Sequence, residues 1–170
     1  MILLESPTLL QLRKLVGIAN YQFGRGAGAA LFDRGIRIAC SKRTGRIRHV
    51  YRNGKLIATL RPKDGYLALT TEGAFLLLSR MKQPPNLVVV QNDVADFIKA
   101  GGDVFAKHIV HADESIRPAE EAIVTNQEGV LLAAGKAVLS GHDMGFFKRG
   151  VAVRVRRGTN KRSKPEELAF

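Results

Sequence analysis

Residues 46–61 read Arg46-Ile47-Arg48-His49-Val50-Tyr51-Arg52-Asn53-Gly54-Lys55-Leu56-Ile57-Ala58-Thr59-Leu60-Arg61. Two β-rich runs flank Asn53-Gly54, the pair preferred in a two-residue type I′ hairpin, where both central residues need positive φ. That turn sets a register: Arg52 faces Lys55, Tyr51 faces Leu56, Val50 faces Ile57, Arg48 faces Thr59 and Arg46 faces Arg61. Alternation then gives one face to Ile47, His49, Tyr51, Leu56, Ala58 and Leu60. Arg46, Arg48, Arg52, Lys55 and Arg61 share the other, around Val50 and Ile57. Like charges set directly across a ladder repel. A phosphate backbone would relieve that repulsion, so this basic ribbon is a candidate nucleic-acid contact.

The hairpin sits inside a wider polycation. The 170 residues carry a net charge of +12, and it is unevenly spread. Residues 1–86 hold 15 Lys and Arg against 4 Asp and Glu, whereas residues 87–158 hold 9 of each and 159–170 hold 3 against 2. Between Asp33 and Asp64 there are ten basic residues and no acidic one. Such a field implies a polyanionic partner. A membrane surface is the competing target, but the chain shows no basic amphipathic helix or lipid anchor, and no apolar run approaches the roughly 18 residues a span requires. Met1–Leu4 meets Glu5 too soon for a signal-peptide core. One cysteine, Cys40, excludes an internal disulfide or a multi-cysteine zinc site. A cytoplasmic location is expected.

Working outward, Ser6-Pro7 suggests an N-cap and first turn for a helix over 7–19, with Leu9, Leu12 and Val16 at helical spacing. Gly24-Arg25-Gly26-Ala27-Gly28 turns toward a short helix ending near Phe32, and Ile36–Cys40 alternates as a strand before a Thr44-Gly45 turn. Leu67–Leu69 reads as a strand, and Thr70 or Thr71 caps a helix over 72–82. Gln83-Pro84-Pro85-Asn86 stops that helix and marks a domain boundary. Beyond it the pattern predicts a strand at Leu87–Val90 and a helix over 93–100, capped by Asn92 and closed by Gly101. Strands follow at 104–110, 122–125, 130–134, 137–139 and 151–156. No internal repeat is apparent. The expected fold is α+β: a small basic N-terminal α/β domain (1–83), a mostly β barrel (87–158) and a loose tail (159–170).

Sites for chemistry are sparse. Gly24–Gly28 lacks both the strand and glycine spacing of a dinucleotide fingerprint and the Gly-Lys-Ser/Thr of a phosphate loop, so it reads as a helix-joining turn with Arg25 available to RNA. His108 and His111 are an odd number of residues apart, which on a strand points them to opposite faces. Asp113-Glu114 and Glu120-Glu121 read as solvated turns, and Cys40 as a small core residue. No metal set, cofactor motif or catalytic constellation emerges.

The C-terminal half resembles the PUA domain, an RNA-binding module of pseudouridine synthases and archaeosine transglycosylases. The residues that carry the likeness are Val88-Val89-Val90, Gly101–Lys107, Arg117-Pro118 with Glu120-Glu121, Leu132–Ala137 and Arg149–Val153. Tyr21–Phe32 and Gly45–Tyr51 are similar to the small domain that precedes PUA in archaeal tRNA-guanine transglycosylase. The aspartate nucleophile and zinc cysteines of that enzyme's catalytic barrel are not matched in these residues. The resemblance implies a grip on the tRNA acceptor stem and 3′ end through Lys99, Gly101, Gly102, Phe105, Ala106, Lys107 and His108; Arg149, in the matched Arg149–Val153 segment, is a further candidate RNA contact. The function expected is therefore RNA binding, tRNA foremost, as an accessory factor or subunit of a tRNA-modifying enzyme and without catalysis of its own. The alternatives are a ribosome-assembly or guide-RNA factor, an RNA-modifying enzyme with its active site in the N-terminal domain, and a protein-interaction subunit.

Overall fold

Local capping decides where the first helix begins. In the computed structural model, which describes residues 2–160, Thr8 Oγ1 accepts from Gln11 N (3.2 Å) while Gln11 Oε1 accepts from Thr8 N (2.8 Å), a reciprocal capping box. Helix α1 therefore runs Leu9–Phe23, later than the Ser6-Pro7 start suggested by the sequence, and buries Leu15, Ala19 and Phe23. Leu9, expected on the core stripe, is 65% exposed. Helix α2 (Ala27–Leu31) packs tightly on α1: a Cβ at Gly28 would come within 2.6 Å of Val16 Cγ1. The Gly28 amide is taken by Asn20 Oδ1 (2.8 Å), so this glycine loop is used for packing.

Strands β1 (Ile36–Cys40), β2 (Ile47–Arg52), β3 (Lys55–Leu60) and β4 (Leu67–Leu69) form an antiparallel meander in chain order, followed by helix α3 (Thr71–Arg80). Ile38, Val50, Ala58 and Leu69 are paired across it and fully buried. The turn at Asn53 (φ 49°) and Gly54 (φ 75°) sets Arg52 against Lys55 and Tyr51 against Leu56.

The register expected beyond Tyr51 is corrected by a bulge. Val50 faces Ala58 and His49 faces Thr59, leaving Ile57 as the extra residue. The Ile57 carbonyl accepts from Thr70 N (3.1 Å) and from Thr70 Oγ1 (3.2 Å), which ties the bulge to the start of α3. A second irregularity opposes Ala39 to His49 and Cys40 to Ile47, so Arg48 is the extra residue of β2. The expected basic face therefore does not exist as one surface. Val50 lies in the core, Arg52 projects to the same side as Val50, and Arg46 and Arg61 fall outside the strands without opposing each other.

One turn is used twice, although the sequence shows no repeat. Ser41 N donates to Arg46 O (2.8 Å) and Gly45 N to Ser41 O (2.8 Å). Arg61 N donates to Tyr66 O (2.8 Å) and Gly65 N to Arg61 O (2.9 Å). Gly45 (φ 66°) and Gly65 (φ 76°) take the left-handed conformation each turn needs. In an up-and-down meander both loops lie at the same end of the sheet, opposite Asn53-Gly54.

The chain divides between Pro84 and Pro85. In the second unit, β5 (Leu87–Val90) precedes a 3₁₀ turn (Asn92–Val94) and α4 (Ala95–Lys99). Asn92 does not cap the helix as expected; its Oδ1 accepts from Gln127 N (3.2 Å). The strand expected over 104–110 is broken into β6 (Val104–Phe105) and β7 (Ile109–Ala112) by a 3₁₀ turn at Ala106–His108, because the two halves pair with different partners. Strand β8 is Glu121–Asn126, and β9 (Leu131–Ala137) is one strand where two were expected. A short helix α5 (Gly141–Met144), missed from sequence, precedes β10 (Val151–Gly158). The sheet order is β6-β10-β9-β8-β5-β7, and only β5–β8 is parallel. Its edge strands β6 and β7 are successive in the chain, so one 3₁₀ turn nearly closes the sheet into a barrel around Val88, Ile98, Val104, Val124, Leu132 and Val153.

The expected tail lies outside the described residues beyond Asn160. Among the described residues no helix is long and apolar enough to cross a membrane.

Asp33 is a tie point of the first unit. Its carboxylate accepts from Gly35 N (3.0 Å) and contacts Arg52 Nη2 (2.5 Å) and Arg80 Nη1 (3.6 Å). Partial burial pushes its pKa up, but the Gly35 amide, Arg52 and Arg80 outweigh it and hold the carboxyl below 3.8. A depressed carboxylate stabilises the fold at pH above its unfolded value and loses that contribution as pH falls through the folded value. Asp33→Asn should thus cost about 1 kcal/mol at neutral pH, allowing for solvent screening. Thermal melts of both proteins should converge as pH drops below 3.8; a gap that persists there would contradict the assignment.

Candidate nucleic-acid interface

The five ribbon cations divide by partner. Arg52 is held by Asp33, Lys55 Nζ meets Glu72 Oε1 (2.9 Å), and Arg61 engages Asp64 through Nε (3.1 Å) and Nη2 (3.0 Å). Among the described residues Arg46 and Arg48 have no carboxylate within 4.0 Å; Arg46 is exposed and Arg48 half-buried. Arg25 is exposed between Gly24 and Gly26. Arg52 is thus committed to the fold, and its Nε is buried without a hydrogen-bond partner. Buried His49 bonds Thr59 (3.2 Å), and burial together with the Arg48 charge lowers its pKa, so the imidazole stays neutral at physiological pH.

Sequence reasoning looked to the strands and passed over the loops. Lys42, Arg43 and Lys63 are exposed on the twin turns. Each precedes a left-handed glycine, and that repeated basic-then-glycine order was the available signal.

In the second unit the fold brings most of the expected contacts together. Phe105 pairs with Val151, and Ala106 N donates to Gly150 O (3.0 Å), which seats Arg149 beside Phe105 and Lys107. Gly101 (φ 101°) turns the chain after α4, and a Cβ at Gly102 would collide with the Phe97 ring. Phe105 and Lys107 are exposed, Lys99 is half-buried, and Asn160 N donates to the Lys99 carbonyl (3.0 Å). His108 faces Gln91 Oε1 (3.3 Å). Ala106 is buried, so its side chain faces the core and any contact there must use neighbouring groups. Exposed cations and backbone beside glycines can position phosphates without reading base identity.

Cys40 is poorly set up as a nucleophile. Its thiol donates to Glu5 Oε1 (3.2 Å), and burial together with that carboxylate pushes its pKa up to about 11. Labelling of the native protein by a thiol-exchange reagent at pH 8 should be roughly a hundredfold slower than for a thiol at the ordinary 9.0. Glu5→Gln should accelerate it in part; rapid labelling of the wild type would refute this environment.

Comparison with known proteins places these features in context. Residues 13–84 match the patch-forming domain C2 of tRNA-guanine transglycosylase, and residues 86–159 match the PUA domain. A protein of Methanobrevibacter smithii named tRNA-guanine(15) transglycosylase is 45% identical over 150 residues, which is 88% of this chain and 23% of that protein. Its namesake in Pyrococcus furiosus is 44% identical over 148 residues, 87% of this chain and 25% of that protein. The chain thus spans about a quarter of the length of the curated relatives it matches. Among solved structures, a hypothetical protein of Pyrococcus horikoshii shares the fold with TM-score 0.74 at 22% identity, covering 94% of this chain and 96% of its own. A conserved PUA domain protein of Thermoplasma acidophilum does so with TM-score 0.65 at 22% identity, covering 91% and 93%.

Proposed function

The chain is a PUA-domain protein resembling the C-terminal part of archaeal tRNA-guanine transglycosylase, a C2 domain followed by PUA, and from that premise we propose that it binds tRNA as an accessory factor or subunit in tRNA modification. The observation that carries the reading is the division of labour between the halves. The first unit bears the positive surplus, while residues 87–158 are electrically neutral yet gather an exposed Phe105, Lys107 and Arg149 around a glycine turn. Long-range attraction belongs to the first, through release of counterions from the RNA. Orientation belongs to the second, which follows the shape of a stem or end by close backbone approach.

In this scheme Arg25, Arg46 and Arg48 meet phosphates, with Lys55 and Arg61 recruited from their surface ion pairs. Lys99, Gly101, Gly102, Phe105, Lys107, His108 and Arg149 contact the acceptor stem or 3′ end. The chain itself performs no chemical step, and base exchange belongs to a partner enzyme.

Binding of the purified chain to unmodified tRNA across a salt series tests this, with an RNA duplex and a DNA duplex as competitors. Selective, salt-sensitive binding to tRNA is expected; equal affinity for every polyanion would contradict it. Changing Arg46 and Arg48 together to Glu should weaken binding by at least about tenfold and flatten the salt slope by roughly 2. Unchanged affinity would remove the ribbon from the interface. Lys107→Ala should have a smaller effect, which disappears when the acceptor stem is deleted from the RNA.

A further inference from the structure

We propose that the end of the four-stranded sheet bearing the twin basic loops is a stacking site for an unpaired nucleotide of the bound RNA, with Tyr21 as the platform; this deepens the RNA-binding reading above and rests on it. Tyr21, in the last turn of α1, is 78% exposed. Its ring lies nearly parallel to that of Tyr66, with an interplanar angle of 8° and centroids 6.1 Å apart. Tyr66 is itself 38% exposed and directly follows the second loop. An offset aromatic pair turned to solvent is a flat surface that a base can extend by one more layer.

The pair is held rigidly. The neighbouring Gln22 binds the backbone of Leu67 twice, donating through Nε2 to Leu67 O (3.1 Å) and accepting from Leu67 N at Oε1 (2.6 Å). These two hydrogen bonds pin the end of α1 to the start of β4, so Tyr21 and Tyr66 are aligned before any ligand arrives. Rigid placement lowers the entropy lost on binding. The core contacts of α1 are made instead by Leu15, Ala19 and Phe23, which are buried.

The electrostatics of the same sheet end suit a nucleotide. Lys42, Arg43 and Arg46 on one loop and Lys63 on the other are exposed. The only carboxylate on either loop, Asp64, is occupied by Arg61 and by the Tyr66 amide. A phosphate can lie along the loops while its base covers Tyr21. In a duplex every base face is covered by its neighbours, so the ligand is a nucleotide from a loop, a bulge or a single-stranded end.

The chain has no tryptophan and three tyrosines, so its intrinsic emission reports on the platform. The full chain would be titrated with a single-stranded RNA octanucleotide and with a strand of equal length lacking its bases. The intact strand should bind about tenfold more tightly and quench tyrosine emission. Tyr21→Ala should abolish both the preference and most of the quench, while Tyr21→Phe should restore the preference. Tyr51→Phe, outside the platform, should keep both. Equal affinity for the two strands, or a preference that survives Tyr21→Ala, would overturn the stacking site even if tRNA binds well. Failure of the wild type to bind tRNA at low salt would instead remove the RNA-binding reading, and the stacking site with it.

Discussion

The N-terminal unit folds under strong self-repulsion, and three of its four carboxylates hold cations against it. Asp33 holds Arg52 and Arg80, Glu72 holds Lys55, Asp64 holds Arg61, and Glu5 accepts the Cys40 thiol. Every acidic side chain in residues 1–86 thus has a structural partner. The remaining cations are not neutralised within the fold. Lys42, Arg43, Arg46 and Lys63 stand exposed on the two turns. A protein pays for such a field in stability, and a polyanion removes that cost. Which arginines are available to RNA is therefore decided by which ones the few carboxylates have already taken.

The second unit solves a different problem. A buried ion pair of Glu121 with Arg156 (2.6 and 2.9 Å) is bidentate, and Glu121 is 1% exposed. Such a pair adds little net stability, because desolvation offsets most of its attraction, but removing one partner would strand a buried charge. It links β8 to β10 across β9 and so fixes their alignment in the barrel. With that frame set, the 3₁₀ turn at Ala106–His108 joins the two sheet edges and presents Phe105 and Lys107 on one side of the closure.

Much of this was legible in the residues. Asn53-Gly54 gave the hairpin and Leu67–Leu69 the fourth strand, because each depends on local backbone chemistry. The register past Tyr51 was not legible. The bulge at Ile57 exists because the Ile57 carbonyl serves Thr70, thirteen residues away, and no periodicity in β3 announces that bond. The break after Phe105 was hidden for a similar reason: apolar residues continue through it, and only the choice of strand partners separates β6 from β7. For the proposed interface, charge density pointed to the first unit but not to which arginines the fold consumes. Arg52 looked like a phosphate contact by alternation, and its tie to Asp33 required the tertiary structure. The resemblance to PUA pointed to Phe105, Ala106 and Lys107 together; the strand pairing is what sets Arg149 near them, and Ala106 faces the core.

On the proposed reading, the basic loops of the first unit and the glycine-turn surface of the second each contact the bound tRNA. Ultraviolet cross-linking of the full chain to tRNA, with the linked peptides identified by mass spectrometry, tests it most directly. Cross-links are expected in residues 41–46 and 61–66 and also in residues 99–107. Cross-links confined to one of the two units, or scattered over basic surface without regard to these segments, would contradict it.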